Sequence, residues 1–280
     1  MDTIVITGAT SGIGEATATQ LAGKFQKLIL IGRNTARAER IVKRLNREAR
    51  SRAIFFAADF ADLAQVRRAA EKIKDKCKSI DVIIHNAGGR FETFAKTIDG
   101  FEQTFQVNHL AGFLLNHLLL ERLLESHSGR ILTISSGAHW SATGIPKMDV
   151  SASNYDYRQA YAASKLANIL FAYELADRLK TSSITSNAIN PGGVMSRFAL
   201  NNGVFSWMRH NVSHLMRREL RSAAAAGAEI AEIARSEKWK MTSGAYISNG
   251  TLSRSSEQSY SKEAMVELWN ESIALCHLPA

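Results

Sequence analysis

The run Thr3-Ile4-Val5-Ile6-Thr7-Gly8-Ala9-Thr10-Ser11-Gly12-Ile13-Gly14 decides the fold of this chain. Its first half is short, apolar and β-branched, as a buried strand requires. Its second half is a glycine-rich turn that opens a helix. There, backbone N–H groups can approach a pyrophosphate resting on the positive end of the helix dipole. Three glycines alone also make an ordinary tight turn; the strand before and the helix after give the signal its weight. Gly8, Thr10, Ser11, Gly12, Ile13 and Gly14 are the candidate binding residues of this turn. Their spacing is GxxxGxG, not the commoner GxGxxG.

Working outward, short apolar runs alternate with longer segments of helical period. Strands are expected near 2–7, 27–32, 52–57, 81–85, 129–134, 183–189 and 244–248. Helices are expected near 12–23, 35–49, 62–77, 99–125, 157–180, 221–235 and 261–275. Runs such as Leu28-Ile29-Leu30-Ile31 and Val82-Ile83-Ile84 are apolar throughout, which fits a parallel sheet covered on both faces. The expected architecture is a single α/β domain over 1–280, a Rossmann fold with a doubly wound, seven-stranded parallel sheet and helices on both faces. Two connections, about 136–156 and about 190–220, are long enough to be functional; the second is expected to be a substrate lid.

Composition narrows the class. Hydrophobic residues make up 45% and charged residues 22%, as in an ordinary globular protein. The greasiest stretch, Leu110 to Leu124, is broken by Asn116, His117, Glu121 and Arg122, so no integral membrane segment is expected. Met1-Asp2-Thr3 has no basic leader, and Cys77 and Cys276 form neither a disulfide framework nor a metal-ligand spacing. A cytoplasmic protein without a metal is expected. The formal charge of +9 gathers partly between Arg33 and Arg52 and partly at Arg209, Arg217, Arg218 and Arg221. Because 37, 40, 44 and 47 recur at helical spacing with no interleaved aromatics, the first group reads as a solvated helix face and no nucleic acid partner is expected.

At the end of the second strand stands Gly32-Arg33-Asn34, where an NAD site would carry an acid for the ribose 2′-OH. A guanidinium there suits a 2′-phosphate instead, with Arg37 one helical turn on. NADP(H) is therefore the expected cofactor; the plainer alternative is that Arg33 merely caps the strand. Further along, Tyr161-Ala162-Ala163-Ser164-Lys165 sets a phenol and an ammonium one turn apart on one helix face. A free tyrosine of pKa about 10 is only ~0.1% ionised at neutral pH, and a nearby cation favours its phenolate. The preceding strand Ile131-Leu132-Thr133-Ile134 ends in Ser135-Ser136, at the edge where such sheets bind ligands.

With these residues in place the chain resembles the short-chain dehydrogenase/reductase family over essentially its whole length. The motifs are Thr7-Gly8-xxx-Gly12-Ile13-Gly14, Asp59, Asn86-Ala87-Gly88, Asn108, Ser136, Tyr161-xxx-Lys165 and Asn190-Pro191-Gly192. Asp99-Gly100-Phe101-Glu102, Ser135-Ser136-Gly137-Ala138-His139 and Ser164-Lys165-Leu166-Ala167-Asn168 are similar to its retinol-dehydrogenase-like branch. The resemblance implies that Tyr161 moves the proton at the substrate oxygen and that Lys165 lowers its pKa and binds the nicotinamide ribose. It implies that Ser136, with Ser135 as runner-up, orients the carbonyl, and that Asn108 holds a water of a proton relay. Asp59 and Phe60 would meet the adenine. Asn86, Ala87 and Gly88 would line the cofactor. Pro191, Gly192, Gly193, Val194 and Ser196, the last replacing a commoner threonine, would hold the carboxamide. His85 and Asn190 depart from the family's usual residues; His85 reads as a satisfied core histidine. The membrane-binding N-terminal segment of many relatives is not expected, because the first strand starts at residue 2.

The function these features imply is an NADPH-dependent reductase of a ketone or aldehyde, or the reverse alcohol oxidation. The alternatives are chemistry on a C=C bond or an isomerisation in the same site, and a catalytically silent NADP-binding regulator. Phe198, Leu200, Val204, Phe205, Trp207 and Met208 make the lid apolar, so a bulky hydrophobic carbonyl substrate is expected, with His139-Trp140 also lining its pocket. Family members often pair into homodimers through helices corresponding to 108–125 and 157–180, whereas some with a long insertion before the tyrosine are monomers, so the resemblance leaves both states open.

Overall fold

The computed structural model of the chain describes residues 3–49, 52–146, 150–195 and 220–279. Eight strands form the central sheet: β1 (Thr3–Thr7), β2 (Lys27–Gly32), β3 (Arg52–Ala57), β4 (Val82–His85), β5 (Arg130–Ile134), β6 (Thr185–Asn190), β9 (Ala245–Ser248) and β10 (Thr251–Ser253). Their order is β10-β9-β6-β5-β4-β1-β2-β3. The seven expected strands run parallel, with registers such as Val5↔Ile29 and Val5↔Ile83 on either side of β1. The eighth, β10, returns antiparallel on β9 and was not expected. Asn249 and Gly250 make that hairpin with φ of 49° and 71°, the backbone a two-residue turn of the primed type demands.

The helices are α1 (Gly12–Leu21), α2 (Thr35–Glu48), α3 (Leu63–Lys74), α4 (Gln103–Phe105), α5 (Ala111–Leu124), α6 (Tyr157–Arg178), α7 (Ala223–Arg235) and α8 (Lys262–Leu275). Alternate residues along each strand feed two cores. Ile4, Ile6, Leu28 and Leu30 pack with Leu21 of α1, Ile41 of α2 and Ile230 of α7. Val5, Ile29 and Ile31 pack with Val66 of α3, Leu114 of α5, Leu170 of α6 and Leu268 of α8. Both faces are dry, which is why these strands show no polar alternation.

The helix expected over 99–125 begins only at Gln103. Gly100 takes φ 88°, and the Asp99 carboxylate is spent on the Leu63 N–H (2.9 Å) and Gln106 (2.7 Å). Glu102 then caps the new start, accepting from the N–H groups of Thr104 and Phe105. Between α4 and α5 lies a π-helical turn, Gln106–Leu110. The long 190–220 connection is closed at its ends by a small parallel ladder, β7 (Gly193–Met195) on β8 (Leu220–Ser222). The expected lid residues 196–219, Ser196 and the basic residues Arg209, Arg217 and Arg218 among them, lie outside the described residues. No helix among the described residues is long and apolar enough to cross a membrane.

Candidate functional site

The carboxyl ends of β1 and β4, where the strand order reverses, open into a cleft of about 1470 Å³. That exceeds the ~300–1,000 Å³ of a site for one small ligand and leaves room for a dinucleotide beside a second molecule. Gly8, Thr10, Ser11, Gly12 and Ile13 line it, with Gly8 and Gly12 at φ 65° and 56°. Ser11 stands at the N-cap of α1 and makes no side-chain cap, whereas α2, α3, α6, α7 and α8 each have one. The first-turn N–H groups of α1 thus face the cleft without an internal acceptor, as an anion site requires. The residues present fit a pyrophosphate.

Gly14, expected among the binding residues, is placed off the cleft lining. A Cβ on it would fall 2.4 Å from both the Gly8 carbonyl oxygen and Asn86 Nδ2, so it serves the close packing of the turn. Asn86 ties the same turn to β4: its amide donates to the carbonyls of Thr7 (2.9 Å) and Gly8 (3.3 Å). Thr7 Oγ1 accepts from the N–H groups of Asn86 (3.0 Å) and Ala87 (2.9 Å).

At one end of the cleft the structure gathers Arg33, Asn34, Arg37, Asp59 and Phe60. Arg33, which has no acid beside it in the sequence, gains one in the fold. Arg33 Nη1 lies 3.8 Å from Asp59 Oδ2, with the arginine side chain 60% exposed. The pairing crosses from β2 to the end of β3, a neighbour that strand order alone brings near. An exposed pair at this distance is worth little and leaves the guanidinium able to meet a phosphate. Asn34 caps α2 by accepting from the Arg37 N–H (2.9 Å).

At the other end, Ser135 and Ser136 part company. Ser135 is buried and its hydroxyl donates to the Lys165 carbonyl (2.8 Å). Ser136 faces the cleft, its hydroxyl accepting from the Ala138 N–H (3.2 Å) and hydrogen-bonding Tyr161. Lys165 is buried, donates to the Ile134 carbonyl (3.1 Å), and sits 5.6 Å from the Tyr161 ring centroid. Burial lowers its pKa to about 8. Burial also pushes the Tyr161 phenol up to about 12, against the downward pull of the Ser136 hydrogen bond and the Arg90 guanidinium. Desolvation is the largest influence on the phenol in this structure.

Asn108 lies behind these groups, in the π-helical turn. Its Oδ1 accepts from the Gly89 N–H (2.7 Å), and its Nδ2 donates to the Gly89 carbonyl and to Ser164 Oγ, both at 2.9 Å. Both amide hydrogens are taken by the protein, and Oδ1 keeps a second lone pair. His85 is a core residue, bonded to Asn116 at 3.2 Å.

Ala87, Gly88, Pro191, Gly192, Gly193 and Val194 line the middle of the cleft. Three arginines that sequence reasoning missed also reach it: Arg90, Arg158 and Arg221. Arg90 is paired with Glu92 at 2.9 Å, and Arg221 with Glu229 at 2.7 Å. Arg158 stands three residues before Tyr161 on α6, a helical spacing that was legible. The expected pocket residues His139 and Trp140 do not line the cleft: His139 is buried and Trp140 is exposed. The short 3-10 segment Gly137–Ser141 turns His139 inward.

Comparison with known proteins covers nearly the full chain. The family model described as short chain dehydrogenase matches residues 2–204. The chain is 37% identical over 274 residues to a Streptomyces sp. (strain C5) protein named "Putative daunorubicin C-13 ketoreductase", covering 97% of this chain and 91% of that one. It is 33% identical to human retinol dehydrogenase 11, covering 99% and 86%. Among solved structures, an uncharacterized protein from Mycobacterium Paratuberculosis superposes with TM-score 0.76 at 29% identity, covering 100% of this chain and 96% of that one.

Proposed function

The chain belongs to the short-chain dehydrogenase/reductase family and is an NAD(P)-dependent oxidoreductase, and from that premise we propose that it is an NADPH-dependent reductase of a bulky apolar ketone or aldehyde. The observation that carries the reading is the meeting of Ser136, Tyr161 and Lys165 at one end of the cleft, with the Tyr161 phenol hydrogen-bonded by Ser136. A protonated phenol at that place can donate to a carbonyl oxygen during reduction, and its phenolate can take the proton back in the reverse alcohol oxidation. Ser136, whose hydroxyl accepts from Ala138, keeps its own proton for the substrate oxygen, and Tyr161 delivers the proton that turns the alkoxide into an alcohol. Lys165, at about 8, is charged at neutral pH and supports the phenol electrostatically. When bound, the nicotinamide supplies the hydride. The α1 turn, Asn86 to Gly88 and Pro191 to Val194 would hold it, and Arg33 with Arg37 would meet the 2′-phosphate. The names of the two relatives, a ketoreductase and a retinol dehydrogenase, support a carbonyl–alcohol couple on a large apolar molecule.

The test is consumption of NADPH with a panel of bulky ketones, small ketones and enones, in the unmodified protein and in Tyr161→Phe. The variant keeps the ring and loses the donor, so turnover of ketones should nearly vanish while NADPH still binds. Retained ketone turnover in Tyr161→Phe, or reduction of enones alone, would hand the site to chemistry on a C=C bond.

A further inference from the structure

His139 follows Ser136 by three residues, is 1% exposed, and does not line the cleft. Both of its ring nitrogens have partners whose roles are fixed. Nε2 lies 3.1 Å from the backbone N–H of Ser256, a group that donates and cannot accept, so Nε2 is an unprotonated acceptor. Nδ1 lies 2.7 Å from the carbonyl oxygen of Ser136, which accepts and cannot donate, so Nδ1 carries the proton. The backbone N–H of His139 donates to that same carbonyl at 3.1 Å.

Ser136 is thus held by three donors of its own turn, two on its carbonyl and one, from Ala138, on its hydroxyl. With a lone pair committed to Ala138, the hydroxyl proton is directed to the cleft, where the Tyr161 phenol stands. The far anchor is equally firm. Ser255 Oγ is bonded to Ser259 Oγ (2.6 Å) and to the Tyr173 phenol (2.8 Å), and the Ser255 N–H donates to Tyr260 (3.1 Å). Gln258 donates to the Ala142 carbonyl at 3.0 Å, binding the other end of the same turn. The Tyr246 ring, 5.0 Å away, closes the imidazole in.

We propose that His139 is a positioning residue, a neutral imidazole protonated on Nδ1 that straps the turn after β5 to the segment Ser255–Tyr260 and so aims the Ser136 hydroxyl. The inference rests on the reading of Ser136 as the group that orients the substrate oxygen. A buried polar ring satisfied at both ends holds its neighbour to a fraction of an ångström, and misplacing a catalytic group by about 1 Å can cost 100-fold.

The test uses the full chain and the variants Ser136→Ala, His139→Asn and His139→Ala. Asparagine returns an N–H close to the position of Nδ1–H; alanine returns nothing. His139→Ala should lower kcat about 10- to 100-fold with NADPH affinity unchanged, and His139→Asn should recover to within about threefold of the unmodified protein. The ¹⁵N spectrum of the imidazoles at neutral pH, assigned by the signal lost in His139→Asn, should show a neutral ring protonated on Nδ1. An Nε2-protonated ring or an imidazolium overturns the proposal. So does an equal loss in the asparagine and alanine variants that follows their melting temperatures, which is the outcome for a ring that only fills space. Should His139→Ala fail to fold, the spectrum and the asparagine variant decide. Full kcat in Ser136→Ala would instead sink the reading of Ser136, whichever way the histidine variants behave.

Discussion

At the scale of single residues, the site is governed by desolvation. Tyr161 and Lys165 are each moved toward the neutral form by burial, in opposite directions on the pKa scale because one is an acid when neutral and the other a base. Neither shift is legible from the Tyr-xxx-Lys spacing, which shows that the two groups share a helix face and nothing of how dry that face is. Arg33 shows the same limit. Its position after Gly32 is readable, whereas its approach to Asp59 depends on β3 lying beside β2. Losing a charge-assisted contact to a 2′-phosphate costs about 1.5–3 kcal/mol, so Arg33→Ala should weaken NADPH binding about 10- to 150-fold. NADH affinity should hardly move, since its ribose carries no phosphate. Fluorescence titration of both cofactors measures this, and equal affinity of the unmodified protein for the two would count against the 2′-phosphate role.

At the scale of elements, the turn from β1 into α1 is built by close approach as well as by chain conformation. Gly14 packs on the Gly8 carbonyl and on Asn86 of the next strand over, and a Cβ there meets backbone with no room to give. Gly14→Ala should therefore cost about 1–3 kcal/mol of stability by overpacking and weaken cofactor binding by shifting the uncapped N–H groups of α1. Urea unfolding beside a cofactor titration checks both effects. Loss of affinity with an unchanged unfolding midpoint would mean that Gly14 touches the cofactor directly. The π-helical turn at Gln106–Leu110 is the element the sequence conceals most completely. Its hydrophobic spacing reads as continuous helix, while the turn is held by Asn108 reaching across to Gly89 and Ser164.

At the scale of the whole molecule, α6, one of the two helices through which relatives pair, is covered by α8. Trp269 of α8 stacks on Phe171 of α6 at 6.2 Å and meets Phe113 of α5 at 5.0 Å, while Arg178 lies over its indole at 4.2 Å. The chain should therefore run as a monomer in light scattering; a dimer joined through α6 would require α8 to move away. Two histidines under the same helices contribute to the response to acid. Burial lowers both His85 and His109 from the ordinary 6.5 to about 4. Between those values the unfolded chain binds more protons than the folded one, so stability is full above about pH 6.5 and is lost as pH falls toward 4. Part of the lowering at His109 comes from His85, so the two rings act together over that window. Urea unfolding at about pH 7.5 and about pH 5 should show the loss, and His85→Asn should reduce it; an unchanged pH dependence in the variant would remove His85 from the account.

The sequence by itself determined the strand–helix alternation, the parallel order of seven strands, the glycine turn, and the residues Ser136, Tyr161 and Lys165 that meet at one edge. These are encoded locally, in periodicities of two and 3.6 residues and in short motifs, so they survive being read along the chain. Tertiary structure alone gave the two serine hydroxyls different partners, the Lys165 carbonyl for Ser135 and the Ala138 N–H with Tyr161 for Ser136. It also decided the acid beside Arg33, the antiparallel β10, the approach of Arg90 and Arg221 to the cleft, the cover of α6 by α8 and the inward turn of His139. Each of these depends on residues far apart in the chain being brought together, as Ser136, His139 and Ser256 are. The energy that selects such contacts, burial of polar groups that must then find partners, has no signature in the spacing of residues along one segment.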